Sequence, residues 1–167
     1  MSDISLSERI SWAEDNLKRQ LDWISRHDSR IAVIFGICVA MLGVLATQAI
    51  APDKLDTGSV AFSLIALVFL IISLIAIYFS QYPRTVSSTK SLLFFGDIAH
   101  MERTDFARSF CARTGQEHLD DLCDQSHINA VIIGRKFAAL KVALVFLLAA
   151  SIPWVIAIGL LRIAKGG

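Results

Sequence analysis

The chain has 167 residues, the length of about one domain, and a formal net charge of +1. A hydrophobic share of 54%, a mean hydropathy of +0.58 and long uncharged runs indicate an integral membrane protein. The nearly neutral charge argues against nucleic acid as a partner, because nucleic-acid binding normally requires a strongly basic face.

Residues 1–30 are predicted to form a cytoplasmic amphipathic helix, with its helical part at 5–27. Ser5 and Glu8 make a capping box, in which the hydroxyl and the carboxylate satisfy free backbone N–H groups. Apolar residues at helical spacing define one stripe, made of Leu6, Ile10, Ala13, Leu17, Leu21 and Ile24. Acidic and basic residues are balanced on the rest of the helix, which favours packing on other protein helices over adsorption to a membrane surface.

Three apolar runs are predicted to cross the membrane, at residues 31–50, 59–80 and 138–161. The first would act as an uncleaved signal anchor. An external turn at 51–58 joins the first two spans, and an external tail covers 162–167. The spans carry no charge except at Lys141, whereas carriers and proton relays need charges inside the membrane. A charge-driven transporter does not fit, whereas a channel lined by backbone or small residues stays open.

The distribution of Lys and Arg predicts the orientation in the membrane. Five of these residues precede the first span, one lies in the turn at 51–58, and seven lie in residues 81–137. Because segments rich in Lys and Arg stay in the cytoplasm, the N-terminus and residues 81–137 are predicted to be cytoplasmic.

The first span carries small residues at Gly36, Ala40 and Gly43, spaced to share one helix face. Such a face allows another helix to approach closely, which predicts helix packing within a homo-oligomer. The alternative is that small residues are simply common in membrane helices.

Residues 81–137 are predicted to form a cytoplasmic helical module. Within it, residues 91–100 are apolar but too short to span a bilayer, which predicts a buried turn or half-helix against the N-terminal stripe. A short helix is expected at residues 105–113, with Thr104 as its cap.

A long helical rod is predicted from Glu117 to Arg162, running from the cytoplasmic module into the third span. Thr114 and Glu117 form a capping box at its start. Gly134 and Pro153 are its two weak points and are predicted to act as gating hinges. The rod would transmit a conformational change at its cytoplasmic end into the bilayer.

No catalytic motif and no cofactor site is recognised in the sequence. A zinc site can be imagined from Cys111, His118, Cys123 and His127, but their spacing supports two ligands at most. Structural zinc requires four convergent ligands, so no metal site is predicted. The three cysteines form no CxxC pair and are expected to be reduced thiols.

Several short motifs resemble one known family. They are Trp23-Ile24-Ser25 followed by Asp28, the run Ser-Leu-Leu-Phe-Phe-Gly-Asp-Ile-Ala at 91–99, Asp121-Leu122 with Gln125, His127 and Asn129, and Arg135-Lys136-Phe137. Together with the order of spans, they resemble the PycTM family, the transmembrane effectors of Pycsar (pyrimidine cyclase) anti-phage systems. The resemblance implies a cell inner-membrane protein that binds cyclic UMP or cyclic CMP from a neighbouring cyclase and kills the infected cell by damaging that membrane.

Candidate ligand-binding residues follow from the chemistry of such a nucleotide. A cyclic phosphate suits Arg side chains, and a pyrimidine edge requires donors and acceptors beside an aromatic ring. Arg103, His127, Asn129, Arg135 and Lys136 are the candidates, with Phe94 and Phe95 as nearby aromatic rings. The two cations at 135 and 136 would equally serve as membrane-interface anchors, and His127 and Asn129 as polar groups satisfied in helix packing.

The sequence therefore predicts an all-α integral membrane protein with three transmembrane helices and a helical cytoplasmic module. Its predicted function is that of a non-enzymatic, nucleotide-activated effector of abortive infection. One alternative is a membrane scaffold that recruits a cytoplasmic partner through the N-terminal stripe. A membrane enzyme is disfavoured, since no activating pair of residues is visible.

Overall fold

The computed structural model describes residues 4–48, 56–82 and 91–166. Helices form all of its regular secondary structure in these ranges: α1 (Leu6–Thr47), α2 (Thr57–Gln81), α3 (Phe95–Ile98), α4 (Arg103–Ala112) and α5 (Gly115–Gly166). The three long helices α1, α2 and α5 are long and apolar enough to cross a membrane. The predicted all-α membrane fold is confirmed, while most of the predicted turn at 51–58 lies outside the described residues.

Helix α1 runs without interruption from the amphipathic segment into the first apolar run. Its start is the predicted capping box: the Ser5 backbone N–H donates to Glu8 Oε2 at 3.0 Å, and the Glu8 N–H donates to Ser5 Oγ at 3.3 Å. The expected helix end at His27 is wrong. The sequence contains neither Gly nor Pro between Leu6 and Phe35, so no such residue interrupts the backbone hydrogen bonds of the helix there.

The chain divides into two compact units. The first, here called the polar unit, comprises Met1–Arg26 and Pro83–Gly134, and the second, the apolar unit, comprises His27–Tyr82 and Arg135–Gly167. These units are defined by contacts within the chain and not by a bilayer. The predicted limits of the membrane spans therefore stay predictions.

Close packing of three helices forms the core of the apolar unit. Its buried members are Ile31, Ile34, Cys38, Leu70, Ala76, Ile77, Leu140, Ala143, Leu147 and Ala150. Small residues allow close approach: Ser73 Oγ donates to the Ala143 carbonyl at 2.9 Å and lies 3.4 Å from Cys38 Sγ. Trp154 Nε1 donates to the Met41 carbonyl at 2.9 Å. Hydrogen bonds between helices thus supplement the van der Waals contacts, as is common in membrane bundles.

The face with Gly36, Ala40 and Gly43 is exposed in the single chain. A Cβ added at Gly36 or Gly43 would meet no described atom within 4 Å. Packing of α1 within the apolar unit uses Ile31, Ile34 and Cys38 instead. The small-residue face is therefore left for contacts outside the chain, and its role in an oligomer stays a prediction.

Helix α4 begins earlier than its sequence suggests. Glu102 is its N-cap residue, and the Glu102 carbonyl accepts from the N–H groups of Asp105 and Phe106 at 3.0 and 2.9 Å. The prediction of Thr104 as cap is wrong, because Thr104 already lies within the first turn of the helix. The extended backbone at Glu102 ends the preceding turn without a side-chain cap.

Helix α5 is the predicted long rod, and it begins at the predicted capping box. The Thr114 N–H donates to Glu117 Oε2 at 2.8 Å, and the Glu117 N–H donates to Thr114 Oγ1 at 3.3 Å. The first of these bonds and the Thr114 hydroxyl lower the pKa of Glu117. The helix continues through Gly134 and Pro153 to Gly166. Their role as hinges stays a prediction.

A buried histidine links the three helices within the apolar unit. His27 is 1% exposed, and its Nε2 lies 3.0 Å from the Lys136 carbonyl and 3.2 Å from Ser80 Oγ. Its Nδ1 lies 3.2 Å from Asp28 Oδ1, which also accepts from Lys136 Nζ at 2.7 Å. Partial burial opposes ionisation of Asp28, but the bonds from Lys136 and His27 outweigh it and lower the pKa of this carboxyl group.

The substitution Asp28→Asn should destabilise the apolar unit, because it removes the anionic partner of Lys136. We expect a loss of about 1 kcal/mol, a charged hydrogen bond discounted for partial exposure. In the native chain this stabilisation is present above the ordinary Asp pKa of 3.8 and is lost as pH falls through the lower pKa of the folded state. Thermal unfolding in detergent from pH 7 to pH 3 measures both effects.

The matched control is Asp22→Asn, which neutralises an exposed carboxylate on the same helix. It should leave the midpoint unchanged within error. Equal midpoints for Asp28→Asn and the native chain at pH 7 would contradict the assigned role of the ion pair.

Candidate functional site

The polar unit is built on contacts between α1 and α5. Glycine at position 115 makes room for the α1 stripe: an added Cβ would lie 3.1 Å from Leu6 and 3.7 Å from Ile10. Farther along α5, Leu119 and Leu122 are buried. The N-terminal stripe is therefore partly used within the chain, as its balanced charges predicted.

The buried carboxylate of Asp121 organises the segment before α3. Ser91 Oγ donates to Asp121 Oδ1 at 2.6 Å, and the Leu92 N–H donates to Oδ2 at 3.1 Å. Arg113 Nη2 pairs with Oδ2 at 2.6 Å, and the two side chains are only 11% and 8% exposed. Arg113 also donates to the Glu117 carbonyl at 2.9 Å. A buried charge requires such partners, so this carboxylate fixes the 91–94 segment onto α5.

The Ser91 side chain also holds residues 91–94 in a tight turn. Its Oγ accepts from the N–H groups of Leu93 and Phe94 at 3.0 and 3.1 Å, while its own N–H donates to Asp97 Oδ2 at 2.9 Å. Gly96 lies in the first turn of α3, where an added Cβ would force the Phe94 ring to shift. The expected half-helix is present as α3, although none of its residues is buried.

This turn places two aromatic rings beside a cleft of about 220 Å³, here called the aromatic cleft. It is lined by Leu17, Leu21, Leu93, Phe94, Phe95, Gln125 and Asn129. The rings of Phe94 and Phe95 lie 4.9 Å apart between centroids. The walls are mostly apolar and two amides supply the polar groups, a composition typical of small-molecule sites.

A second cleft of about 290 Å³, here called the polar cleft, also lies in the polar unit. It is lined by Ala13, Asn16, Gln20, Cys123, Ser126, His127 and Ala130. Gln20 Nε2 donates to Asn16 Oδ1 at 3.2 Å, which leaves the amide oxygen of Gln20 as a possible acceptor.

Both clefts contain buried polar groups that have no hydrogen-bond partner among the described residues. These groups are Gln125 Nε2 in the aromatic cleft, and Gln20 Oε1 and Ser126 Oγ in the polar cleft. Each residue is less than one-tenth exposed. Leaving a buried donor or acceptor unpaired costs about 1–3 kcal/mol, so a ligand that pairs with one recovers part of that cost.

The structure separates the five predicted ligand residues. Asn129 lines the aromatic cleft with Phe94 and Phe95, and His127 lines the polar cleft. Arg103 is the exposed first residue of α4. The other two belong to the apolar unit, where Arg135 is exposed and Lys136 pairs with Asp28 and contacts Gln81 Oε1 at 3.3 Å.

Sequence reasoning missed the residues that hold the site together: Ser91, Asp97, Arg113 and Asp121. Two signals were available, since Ser91, Asp97 and Asp121 lie inside the motifs 91–99 and 121–122. The partnership of Arg113 with Asp121 was not visible, because it depends on how the start of α5 lies against the end of α4.

The lining of the aromatic cleft, which is apolar apart from two amides, suits reversible binding of a small, largely neutral ring.

Within the described ranges, no group of three or more His, Cys, Asp or Glu side chains could hold a metal ion. His118 instead lies 3.5 Å from Glu14 and 3.4 Å from Arg113 Nη1.

Comparison with known proteins gives one family. The model of the Pycsar effector protein domain, PycTM, matches residues 12–163. No match to the chain was found among curated proteins or among solved structures. The matched segment covers nearly the whole chain, with most of both units, so the resemblance seen in the short motifs is confirmed. The chain belongs to the PycTM family of transmembrane effectors, which gives it an effector role in Pycsar anti-phage defence.

Proposed function

We propose that a cyclic pyrimidine mononucleotide, cyclic UMP or cyclic CMP, activates this effector, which then impairs the inner membrane and kills the infected cell. The match to the PycTM effector domain over residues 12–163 carries the proposal. A neighbouring cyclase supplies the nucleotide. The N-terminus and the polar unit lie in the cytoplasm, where the nucleotide is made.

The two units suit the two parts of this function. The polar unit has clefts with unpaired polar groups, which support ligand binding. In the apolar unit, helix α2 contains no Asp, Glu, Lys or Arg. This helix supplies no charge for ion-coupled transport, which supports membrane damage over regulated pumping.

The nucleotide contacts are proposed at three of the residues predicted from the sequence, all in the polar unit. Arg103 offers positive charge for the cyclic phosphate, and His127 and Asn129 offer donors and acceptors. Arg135 and Lys136 belong to the apolar unit and are proposed as cations at the membrane interface. Transmission to the membrane is assigned to α5, because one helix contains both Asn129 and the third apolar run. Permeabilisation requires several copies, since one three-helix chain cannot enclose a pore, and the exposed face at Gly36, Ala40 and Gly43 is proposed as the contact.

Raising the concentration of cyclic UMP or cyclic CMP inside cells that express the chain, by co-expressing a pyrimidine cyclase, should collapse the membrane potential, measured with a potential-sensitive dye. A combined Arg103→Ala, His127→Ala and Asn129→Ala variant should bind the nucleotide at least about tenfold more weakly and depolarise less, because several charged or polar contacts are removed. The matched control is Arg108→Ala, which removes an exposed cation from α4.

No depolarisation of native cells at saturating nucleotide would contradict the proposed function and favour a membrane scaffold that recruits a partner. Unchanged nucleotide binding by the triple variant would contradict only the assignment of these three residues.

The substitution Gly134→Ala tests transmission along α5. An alanine there meets no described atom within 4 Å and favours the helix by about 1 kcal/mol, so it stiffens the rod without a clash. We expect unchanged nucleotide binding with an altered depolarisation response. Gly159→Ala is the control, because it makes the same change in the same helix, also without a described neighbour within 4 Å. Identical responses from both variants and the native chain would show that α5 is only a tether.

A further inference from the structure

The aromatic cleft is small compared with a whole nucleotide site. Its volume of about 220 Å³ lies below the range of roughly 300–1,000 Å³ found for pockets that enclose drug-sized ligands. A cleft of this size suits one planar ring, with the rest of the ligand outside. Its apolar walls disfavour a phosphate, which carries a full negative charge.

The polar side chains of the aromatic cleft can form hydrogen bonds with the edge of such a ring. Gln125 is 6% exposed, and its Nε2 has no partner among the described residues. Asn129 lies four residues farther along α5 and lines the same cleft, as expected for positions i and i+4 of one helix face. A carbonyl oxygen on the ring would accept from Gln125, and the Asn129 amide can donate or accept beside it.

The aromatic wall fits the face of the ring. Phe95 is 71% exposed, although an apolar ring gains nothing from contact with water. Stacking of a nucleobase on an aromatic side chain is worth about 1–3 kcal/mol, so a bound base would explain this exposure. The Gln125 nitrogen is enclosed in the free chain, so a ring that reaches it requires side chains of the cleft to shift.

We infer that the aromatic cleft holds the pyrimidine ring of the activating nucleotide, with Gln125 donating to a ring carbonyl and Phe95 stacking on the ring. This inference rests on the proposed function and identifies the aromatic cleft as the part of the chain that recognises the base. Uracil and cytosine both present a carbonyl at O2, and they differ in the group at position 4. Asn129, the second amide, is therefore the residue placed to distinguish them.

The test is a titration of the full-length chain in detergent with cyclic UMP and with cyclic CMP. Gln125→Leu should weaken binding of the preferred nucleotide by about tenfold or more, and Phe95→Leu by a similar factor. The matched control is Gln116→Leu, which makes the same change at an exposed position of α5 outside both clefts and should bind like the native chain. Gln20→Leu makes this change at a buried glutamine of the polar cleft.

Stability supplies an independent readout. Because the Gln125 donor is unpaired in the free chain, Gln125→Leu removes a cost and should leave the unfolding midpoint unchanged or raised. A merely structural role for Gln125 would lower that midpoint. Loss of binding with a retained midpoint therefore supports a binding role, and a lowered midpoint contradicts it.

Failure of the native chain to bind either nucleotide would contradict the proposed function itself. If the native chain binds a nucleotide and the Gln125→Leu variant binds it equally well, only the inference is overturned. A loss of nucleotide binding confined to Gln20→Leu would also overturn it and would indicate that the base binds in the polar cleft. Asn129→Asp should change the ratio of the two affinities, because it replaces an amide that donates and accepts with a carboxylate that only accepts. An unchanged ratio would contradict its role in distinguishing the bases.

Discussion

The carboxylate of Asp121 is the constraint on which the polar unit depends. It lies almost fully buried on α5, where a charge is tolerated only with partners, and it takes them from Arg113, the Ser91 hydroxyl and the Leu92 backbone. These bonds fix the turn that places Phe94 and Phe95 beside the aromatic cleft. Removing one member of a buried ion pair costs about 3–5 kcal/mol, so the cleft and the fold of this unit are coupled.

The two units obtain their stability in different ways. The polar unit relies on charged hydrogen bonds and retains unpaired amides at its clefts. The apolar unit packs small residues closely, with Ser73 and Trp154 donating to helix carbonyls. Unpaired polar groups that line a cleft leave a site that a ligand can stabilise. The apolar unit also has an unpaired buried hydroxyl, Ser63 Oγ, but it lines neither of the two clefts. This difference is the physical basis for assigning recognition to one unit and membrane action to the other.

Local signals predicted the helices well, because their causes lie within a few residues. The capping boxes at Ser5 and Thr114 and the apolar period of the spans needed no tertiary information. The prediction of Thr104 as N-cap was wrong because a residue type that favours the cap position can also lie inside the first turn, when the preceding backbone is already extended. The pairing of Arg113 with Asp121, and the unpaired amides of Gln20 and Gln125, depend on contacts between helices and could not be predicted from spacing.

We propose that this chain couples a cyclic pyrimidine nucleotide to membrane damage without another protein. The coupling can be measured by reconstituting the purified chain into liposomes loaded with a self-quenching dye. Addition of cyclic UMP or cyclic CMP should release the dye, while a cyclic purine nucleotide at the same concentration should not. Retention of the dye at saturating pyrimidine nucleotide, with nucleotide binding shown on the same liposomes and the polar unit facing outwards, would contradict this coupling.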